Sequence, residues 1–292
     1  MQKKKQPKQT EMKKSKRILI AKDTVEVIKN GFYIHQKNEK ENEKVDISEI
    51  QEQAQKNSEL FMAKDNSMLE AHYEPLKSVK RKFYTQNESV MVVIDNLLKA
   101  NNEPVFCLNF ASAKNIGGGF LTGAQAQEES IARVTGLSAC CFEFFEEYYQ
   151  FHRSIKTMLY TDTMIYSPNV PIFKNDEGEY LDTPQKVSIL TSAAVNAGVV
   201  RRQEQNKIDD IVPVMEQRIE KVLAIAHHKG YKNLVLGAWG CGVFQNIPSD
   251  IAKIFHDLLT TKFKDSFEEI VFAIKTKDER IINPFLKYFP KK

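Results

Sequence analysis

Two adjacent acids, Glu128 and Glu129, open a helix-like segment that continues from Ile131 to Tyr149. They follow Gly117-Gly118-Gly119 across the seven-residue spacer Phe120 to Ala126, with Gln127 directly before them. Three consecutive glycines put no side chain into a core and cost backbone entropy, so their use is to let a ligand or a tight turn approach the main chain. Acids in the first turn of a helix can simply complement its dipole, worth about 0.3 to 1 kcal/mol, or they can transfer protons. Successive helical side chains point about 100° apart at 3.6 residues per turn. The two carboxylates are therefore not expected to flank one bond; one should do chemistry and the other should bind.

A second candidate is Gly237-Ala238-Trp239-Gly240-Cys241-Gly242-Val243-Phe244, which follows a strand candidate and precedes a helix beginning Pro248-Ser249-Asp250. Strand, glycines and helix start together point backbone N–H groups at an anion, although such turns also occur with nothing bound. Asn246 is a better cap for that helix than Gln245, because its shorter side chain folds back onto the first free amides. No GxxxxGK[ST] motif occurs, so amides alone would hold a diphosphate, which suits binding of a nucleotide diphosphate sugar better than phosphoryl transfer. Phe244 either packs on a ligand or anchors the loop in the core. Asn109 and Asn115 bracket the end of a strand and could bind ligand hydroxyls or serve as cap and turn residues; Asn196 ends a third strand-like segment. The six histidines form no dyad or metal spacing, and Cys107, Cys140, Cys141 and Cys241 show no CxxC pair. They read as buried thiols, with no metal site and no disulfide framework.

These loops need a scaffold. Ile18 to Asn30 reads as a helix stopped by Gly31, Gln36 to Lys44 as an exposed loop, Lys80 to Tyr84 as a strand, and Val90 to Leu98 as a helix capped by Asn87. Pro104 to Phe110, Val187 to Leu190, Leu234 to Leu236 and Ile270 to Ile274 read as strands. Pro213 to His228 and Pro248 to Leu259 read as helices, and residues 178–183 and 201–210 as polar lids. Alternating strands and helices imply an α/β three-layer fold around a mixed central sheet. The ligand site should lie outside the carboxyl ends of its strands, where both glycine loops fall.

With 292 residues and 42% apolar composition the chain can bury a sizeable core. Residues 1–17 hold eight Lys or Arg against one acid, leaving 34 basic and 37 acidic residues elsewhere. The body is thus mildly acidic, which argues against a nucleic-acid-binding face. The basic tail reads as disordered, either a solubilising extension, a nuclear address or a weak grip on an anionic polymer. No signal-peptide core or membrane span follows it, so the expected location is intracellular, cytoplasmic or nuclear. The expected organisation is a tail at 1–17, an accessory region at 18–100 and a catalytic core at 101–292.

The GGG, seven-residue spacer and QEE pattern, with Asn109-Phe110-Ala111-Ser112-Ala113-Lys114-Asn115 before it, resembles poly(ADP-ribose) glycohydrolases of the bacterial type. Gly237 to Phe244 resembles that family's diphosphate-binding loop, and Thr191-Ser192-Ala193-Ala194-Val195-Asn196-Ala197-Gly198 and Ile20-Ala21-Lys22-Asp23-Thr24 extend the likeness. The resemblance implies a macrodomain-like fold with an N-terminal helical extension, no cofactor, and hydrolysis of ribose–ribose bonds in poly(ADP-ribose). It implies that Glu129 protonates the leaving ribose oxygen and then activates water, while Glu128 accepts hydrogen bonds from ribose hydroxyls. A neighbouring carboxylate and partial burial would both raise the acid's pKa. Gln127, Asn109, Asn115, Gly117, Gly118, Gly119, Asn196, Gly240, Cys241, Gly242, Val243 and Phe244 would line the substrate. Partners would be poly(ADP-ribose) and ADP-ribosylated proteins, with the protein a monomer and neither a membrane nor a specific nucleic-acid sequence engaged. The alternatives are a non-hydrolytic ADP-ribose reader, a hydrolase of singly ADP-ribosylated proteins, and a chain whose tail is the functional element.

Overall fold

The strand Val105–Phe110 is buried along nearly its whole length, and its side chains feed two separate cores. Phe106 and Leu108 enter one, Val105 and Cys107 the other. This is the period of two expected of a central strand covered on both faces. The computed structural model describes residues 12–38, 41–65, 81–101 and 103–292.

The described chain opens with helix α1 (Lys14–Asn30), strands β1 (Phe32–Asn38) and β2 (Glu41–Asp46), helix α2 (Ser48–Lys56) and strand β3 (Glu59–Phe61). Then come β4 (Lys82–Gln86), α3 (Val90–Asn101), β5 (Val105–Phe110), α4 (Gln127–Ala132) and α5 (Leu137–Phe142). A π-helical turn, Phe145–Gln150, runs into α6 (Phe151–Ser154), followed by β6 (Met164–Lys174), β7 (Tyr180–Ser192) and α7 (Ala197–Gln203). The chain closes with α8 (Ile211–His228), β8 (Asn233–Leu236), α9 (Pro248–Thr260), β9 (Glu269–Ala273) and α10 (Glu279–Tyr288).

Seven strands form one sheet in the order β3-β6-β7-β5-β8-β9-β4. β7, β5, β8, β9 and β4 run parallel, and β6 runs against its neighbours β3 and β7. Helices α8, α9 and α10 cover one face and α3, α4 and α5 the other, which gives the three-layer mixed sheet expected from the sequence. The carboxyl ends of β5 and β8 feed directly into the two glycine loops, as expected of an open α/β sheet.

The N-terminal elements are tied to this body by buried contacts. Tyr33 stacks on Tyr180 with ring centroids 4.7 Å apart and donates to Leu181 O at 2.7 Å. Lys174, 1% exposed, donates to Thr24 Oγ1 at 2.8 Å and pairs with Asp23 at 2.6 Å. Gly31 ends α1 in the left-handed region at φ 75°, as the sequence suggests.

Several expectations are corrected. Helix α1 begins at Lys14, so it takes the last four residues assigned to the tail; residues 1–11 lie outside the described residues. The region before residue 100, expected to pack on the core, supplies both edge strands of the central sheet, β3 and β4. Residues 36–44, read as a loop, belong largely to the β1–β2 hairpin. The polar half of the ribbon could not be told from a loop, whereas its apolar end, Tyr33 with Val45, packs against Val27, Ile47 and Phe173. The segment Ile131 to Tyr149 is not one helix: it breaks at Thr135-Gly136, where the Gly136 N–H donates to Pro171 O at 3.0 Å. A side chain at Gly136 would meet Gln51 Oε1, so the break is fixed by packing on α2. Ser89, not Asn87, caps α3 by accepting from Val92 N–H, while Asn87 bonds the Thr276 backbone. The stretches read as lids take regular structure: Gly178 abuts Ile20, 180–183 open β7, 201–203 belong to α7, and 205–210 form an exposed 3-10 turn. Among the described residues, no helix is long and apolar enough to cross a membrane.

Candidate active site

The triple glycine turns sharply. Gly117 and Gly118 have φ of 65° and 58°, the left-handed region where a Cβ is strained. Phe120 and Ala132 close on Gly117, and the close approach at Gly118 is made by the protein's own acids. A Cβ on Gly118 would stand 2.5 Å from Glu129 Oε1 and 2.9 Å from Glu128 Oε2. The two carboxylates therefore converge on one glycine despite their angular separation on the helix, because long side chains in a first turn can reach forward to the same loop. The Gly119 N–H donates to Glu129 Oε1 at 3.0 Å, and the Ser112 N–H donates to Glu128 Oε2 at 2.7 Å. Each acid keeps its other oxygen buried and free of any protein partner among the described residues. Burial pushes the Glu128 carboxyl well above the usual range, opposed by the Ser112 amide and reinforced by the charge of Glu129, with the Asn109 side chain and Gly117 amide also opposing.

The other predicted residues divide. Gln127 is committed to the scaffold: its Oε1 accepts from Phe110 N–H at 2.9 Å and its Nε2 donates to Leu108 O at 2.7 Å, clamping α4 to the end of β5. Asn109 is buried near the end of β5 and donates to Thr191 Oγ1 at 3.2 Å. Asn115 is exposed beside the glycines, its carbonyl accepting from Gly118 N–H. Asn196 caps α7 by accepting from Val199 N–H at 3.3 Å.

The second loop leaves β8 and turns at Gly240, φ 72°, where a Cβ would meet Asn246 Nδ2 at 2.5 Å. Asn246 does not cap α9. Its amide donates to Val195 O at 2.8 Å and Gly240 O at 3.1 Å, so it pins the loop to the strand end of β7. The amides of Gly242, Val243 and Phe244 donate to no group in the chain among the described residues, and Val243 is 84% exposed. Phe244 packs partly on the core and lies 6.2 Å from Tyr160, ring to ring. Cys241 is buried, which raises its thiol to about 12, with the charge of Asp250 adding to the rise. Since Asp250 already occupies the first turn of α9, an anion would be held by the loop amides rather than by that helix end.

Sequence reasoning missed the supports. Arg133 donates to Ala124 O at 2.8 Å and Gln125 Oε1 at 2.6 Å, and Arg17 of α1 donates to Gly123 O at 2.8 Å, bracing the loop that carries the glycines. Thr191 and Cys141 lie behind Asn109. Thr191 opens a segment that carried the family likeness but was given no role there, while Arg17, Arg133 and Cys141 have no local motif that could have revealed them.

Comparison with known proteins agrees with this geometry. The family model for the microbial-type PARG catalytic domain matches residues 21–175. A poly(ADP-ribose) glycohydrolase from Thermomonospora curvata is 36% identical, superposes with a TM-score of 0.88, and covers 94% of this chain and 100% of its own. The same organism's enzyme bound to the inhibitor ADP-HPD superposes with a TM-score of 0.85 at 36% identity, over 94% of this chain and 100% of its own. The Deinococcus radiodurans enzyme in complex with ADP-ribose is 35% identical over 82% of this chain and 96% of its own, with a TM-score of 0.76. No curated protein matches the chain. A macrodomain-like body with a glycine loop closed over two acids, together with these similarities, places the chain in the microbial-type poly(ADP-ribose) glycohydrolase family.

Proposed function

We propose that this glycohydrolase cuts the ribose–ribose O-glycosidic bond of poly(ADP-ribose) with Glu129 as the acid and base. Glu129 gives its proton to the leaving ribose oxygen as the bond to the anomeric carbon breaks. It then takes a proton from water, whose hydroxide completes the new bond at that carbon and regenerates the acid. Glu128 accepts hydrogen bonds from ribose hydroxyls and so orients the sugar. The free amides of Gly242, Val243 and Phe244 hold the diphosphate, whose negative charge lies near the oxocarbenium-like centre and helps to stabilise it. The chemistry needs no metal. The observation that carries this reading is the convergence of both carboxylates on Gly118, each with one oxygen unengaged.

One observation favours an exchange of roles: the raised pKa falls on Glu128, and a general acid needs that property. Free ADP-ribose released from automodified polymer tests both. Loss of release in Glu129→Gln, with binding of ADP-ribose kept, supports Glu129 as the acid. Retained release in Glu129→Gln with loss in Glu128→Gln transfers the role. Binding without release by the wild type would identify a reader, and release only from singly modified protein would change the substrate class.

A further inference from the structure

Four residues other than glycine adopt the left-handed backbone among those described: Tyr160, Asn169, Gln245 and Asp265, with φ from 51° to 67°. Asn and Asp enter that region readily, whereas Tyr and Gln do so at a cost in steric strain. The two costly cases fall at one place. Tyr160 lies ring to ring with Phe244, centroids 6.2 Å apart, and Gln245 is the residue that follows Phe244. Both aromatic residues are partly exposed. They stand at the end of the loop whose Gly242, Val243 and Phe244 amides donate to no group in the chain among the described residues. Strained backbone persists only where its surroundings over-determine it, and it gathers at ligand sites.

Here the surroundings are a set of named bonds. Arg218 of α8 is 1% exposed and divides its guanidinium between the chain on either side of Tyr160: Nη2 donates to Leu159 O at 3.0 Å, and Nε pairs with Asp162 at 2.7 Å. Its Nη1 donates to Ala193 O at 2.9 Å, which ties both to the chain just past β7. His152 Nε2 lies 2.9 Å from Thr161 Oγ1, and the Asn196 N–H donates to Met158 O at 2.9 Å. Across the ring pair, the Gly198 N–H donates to Phe244 O at 2.9 Å and Arg201 donates to Gln245 O at 2.8 Å. A ring that served only to anchor a loop could be buried by a relaxed turn; here two strained turns are pinned so that two half-exposed rings meet. We propose that Tyr160 is a substrate-binding residue, forming with Phe244 an aromatic wall for the apolar face of the ribose or base attached to the diphosphate, and that Arg218 is its positioning residue. This rests on the reading that the loop amides hold a diphosphate, and it adds the side chain that grips the nucleoside diphosphate sugar beside them.

Calorimetric titration of the full chain with ADP-ribose, and separately with ADP, is the test. Tyr160→Ala should weaken ADP-ribose binding on the order of tenfold, and Tyr160→Phe, which keeps the ring, should bind within about twofold of the wild type. Equal loss for ADP and ADP-ribose places the adenosine on the wall; loss for ADP-ribose alone places there the ribose that ADP lacks. Tyr160→Gly reads the strain apart from the ligand. It should melt a few degrees above Tyr160→Ala, the reverse of the usual order, because glycine takes the left-handed backbone freely. Arg218→Lys keeps the charge opposite Asp162 but not the planar fork, so it should weaken ADP-ribose binding on its own and add little further loss to Tyr160→Ala. Asp162→Asn takes its place if the lysine variant does not fold. Wild-type affinity in Tyr160→Ala overturns the inference; full additivity of Arg218→Lys with Tyr160→Ala overturns the role of Arg218, and a glycine variant that melts below the alanine one overturns the strain argument. A wild type that binds neither ligand would instead sink the diphosphate reading, and this inference with it.

Discussion

Gly118 is the position where one methyl group should separate folding from chemistry. Its φ of 58° costs an L-residue roughly 1 to 2 kcal/mol. The new carbon would stand 2.5 Å from Glu129 Oε1 and 2.9 Å from Glu128 Oε2, where ordinary contact needs about 3.5 Å. The Glu129 carboxylate must therefore retreat by about 1 Å, which strains or breaks its bond from the Gly119 N–H. A displacement of that size at a reacting group costs on the order of 100-fold in rate. Gly118→Ala is thus expected to lower kcat for ADP-ribose release about 100-fold, while the backbone term lowers the thermal midpoint by only a few degrees. Release from polymer and a melting curve on the same preparation check both. A folded Gly118→Ala protein with wild-type kcat would refute the reasoning, because it would mean that neither carboxylate needs its observed place.

Three further outcomes follow from the same geometry. Glu128 has a folded pKa raised by burial, so it binds its proton more tightly folded than unfolded, and its contribution to stability is present at low pH and lost as pH rises through the folded pKa; Glu128→Gln should therefore raise the thermal midpoint at pH 8 relative to the wild type, and the advantage should vanish near pH 4. His152, fully buried between Tyr148 O and Thr161 Oγ1, is lowered from 6.5 to about 4 by desolvation first of all. Its contribution is present above the unfolded value and lost as pH falls towards 4, about 3 kcal/mol by linkage; denaturant unfolding between pH 7 and 4 should show a flatter loss in His152→Gln, and an identical slope would contradict this. In the second loop, Gly240→Ala should melt several degrees lower because its Cβ meets Asn246 and Ala194, whereas Gly242→Ala, with nothing within 4 Å, should melt within about a degree of wild type.

What could be read from the sequence depended on how far apart along the chain the interacting parts lie. The glycine loop and its two acids are separated by only eight residues, so the need for missing side chains could be inferred locally; Glu128 and Glu129 approach Gly118, and Phe120 and Ala132 fill the space at Gly117. The angle between the two side chains on the helix wheel did not reveal that both carboxylates approach Gly118, because it takes no account of their reach. β6 escaped notice because Pro168 and Pro171 argue against a strand; the sheet accommodates Pro168 at a register shift between Ser167 and Val170, with Asn169 at φ 51°, while Pro171 stands opposite Lys186 in the ladder. The break at Gly136 is dictated by Gln51, 85 residues earlier, and no periodicity within the helical segment encodes it. The cluster of Asn109, Thr191 and Cys141 is the extreme case. Asn109, Cys141 and Thr191 meet only because β5 and β7 pair in one register and α5 lies across them. A one-residue slip of β7 would turn Thr191 to the other face and replace it with a neighbour. The acids of this site were therefore visible as a motif, whereas Asn109 and Thr191, although each lies in a segment that carried the family likeness, are joined only by the register of the sheet, which no local pattern encodes.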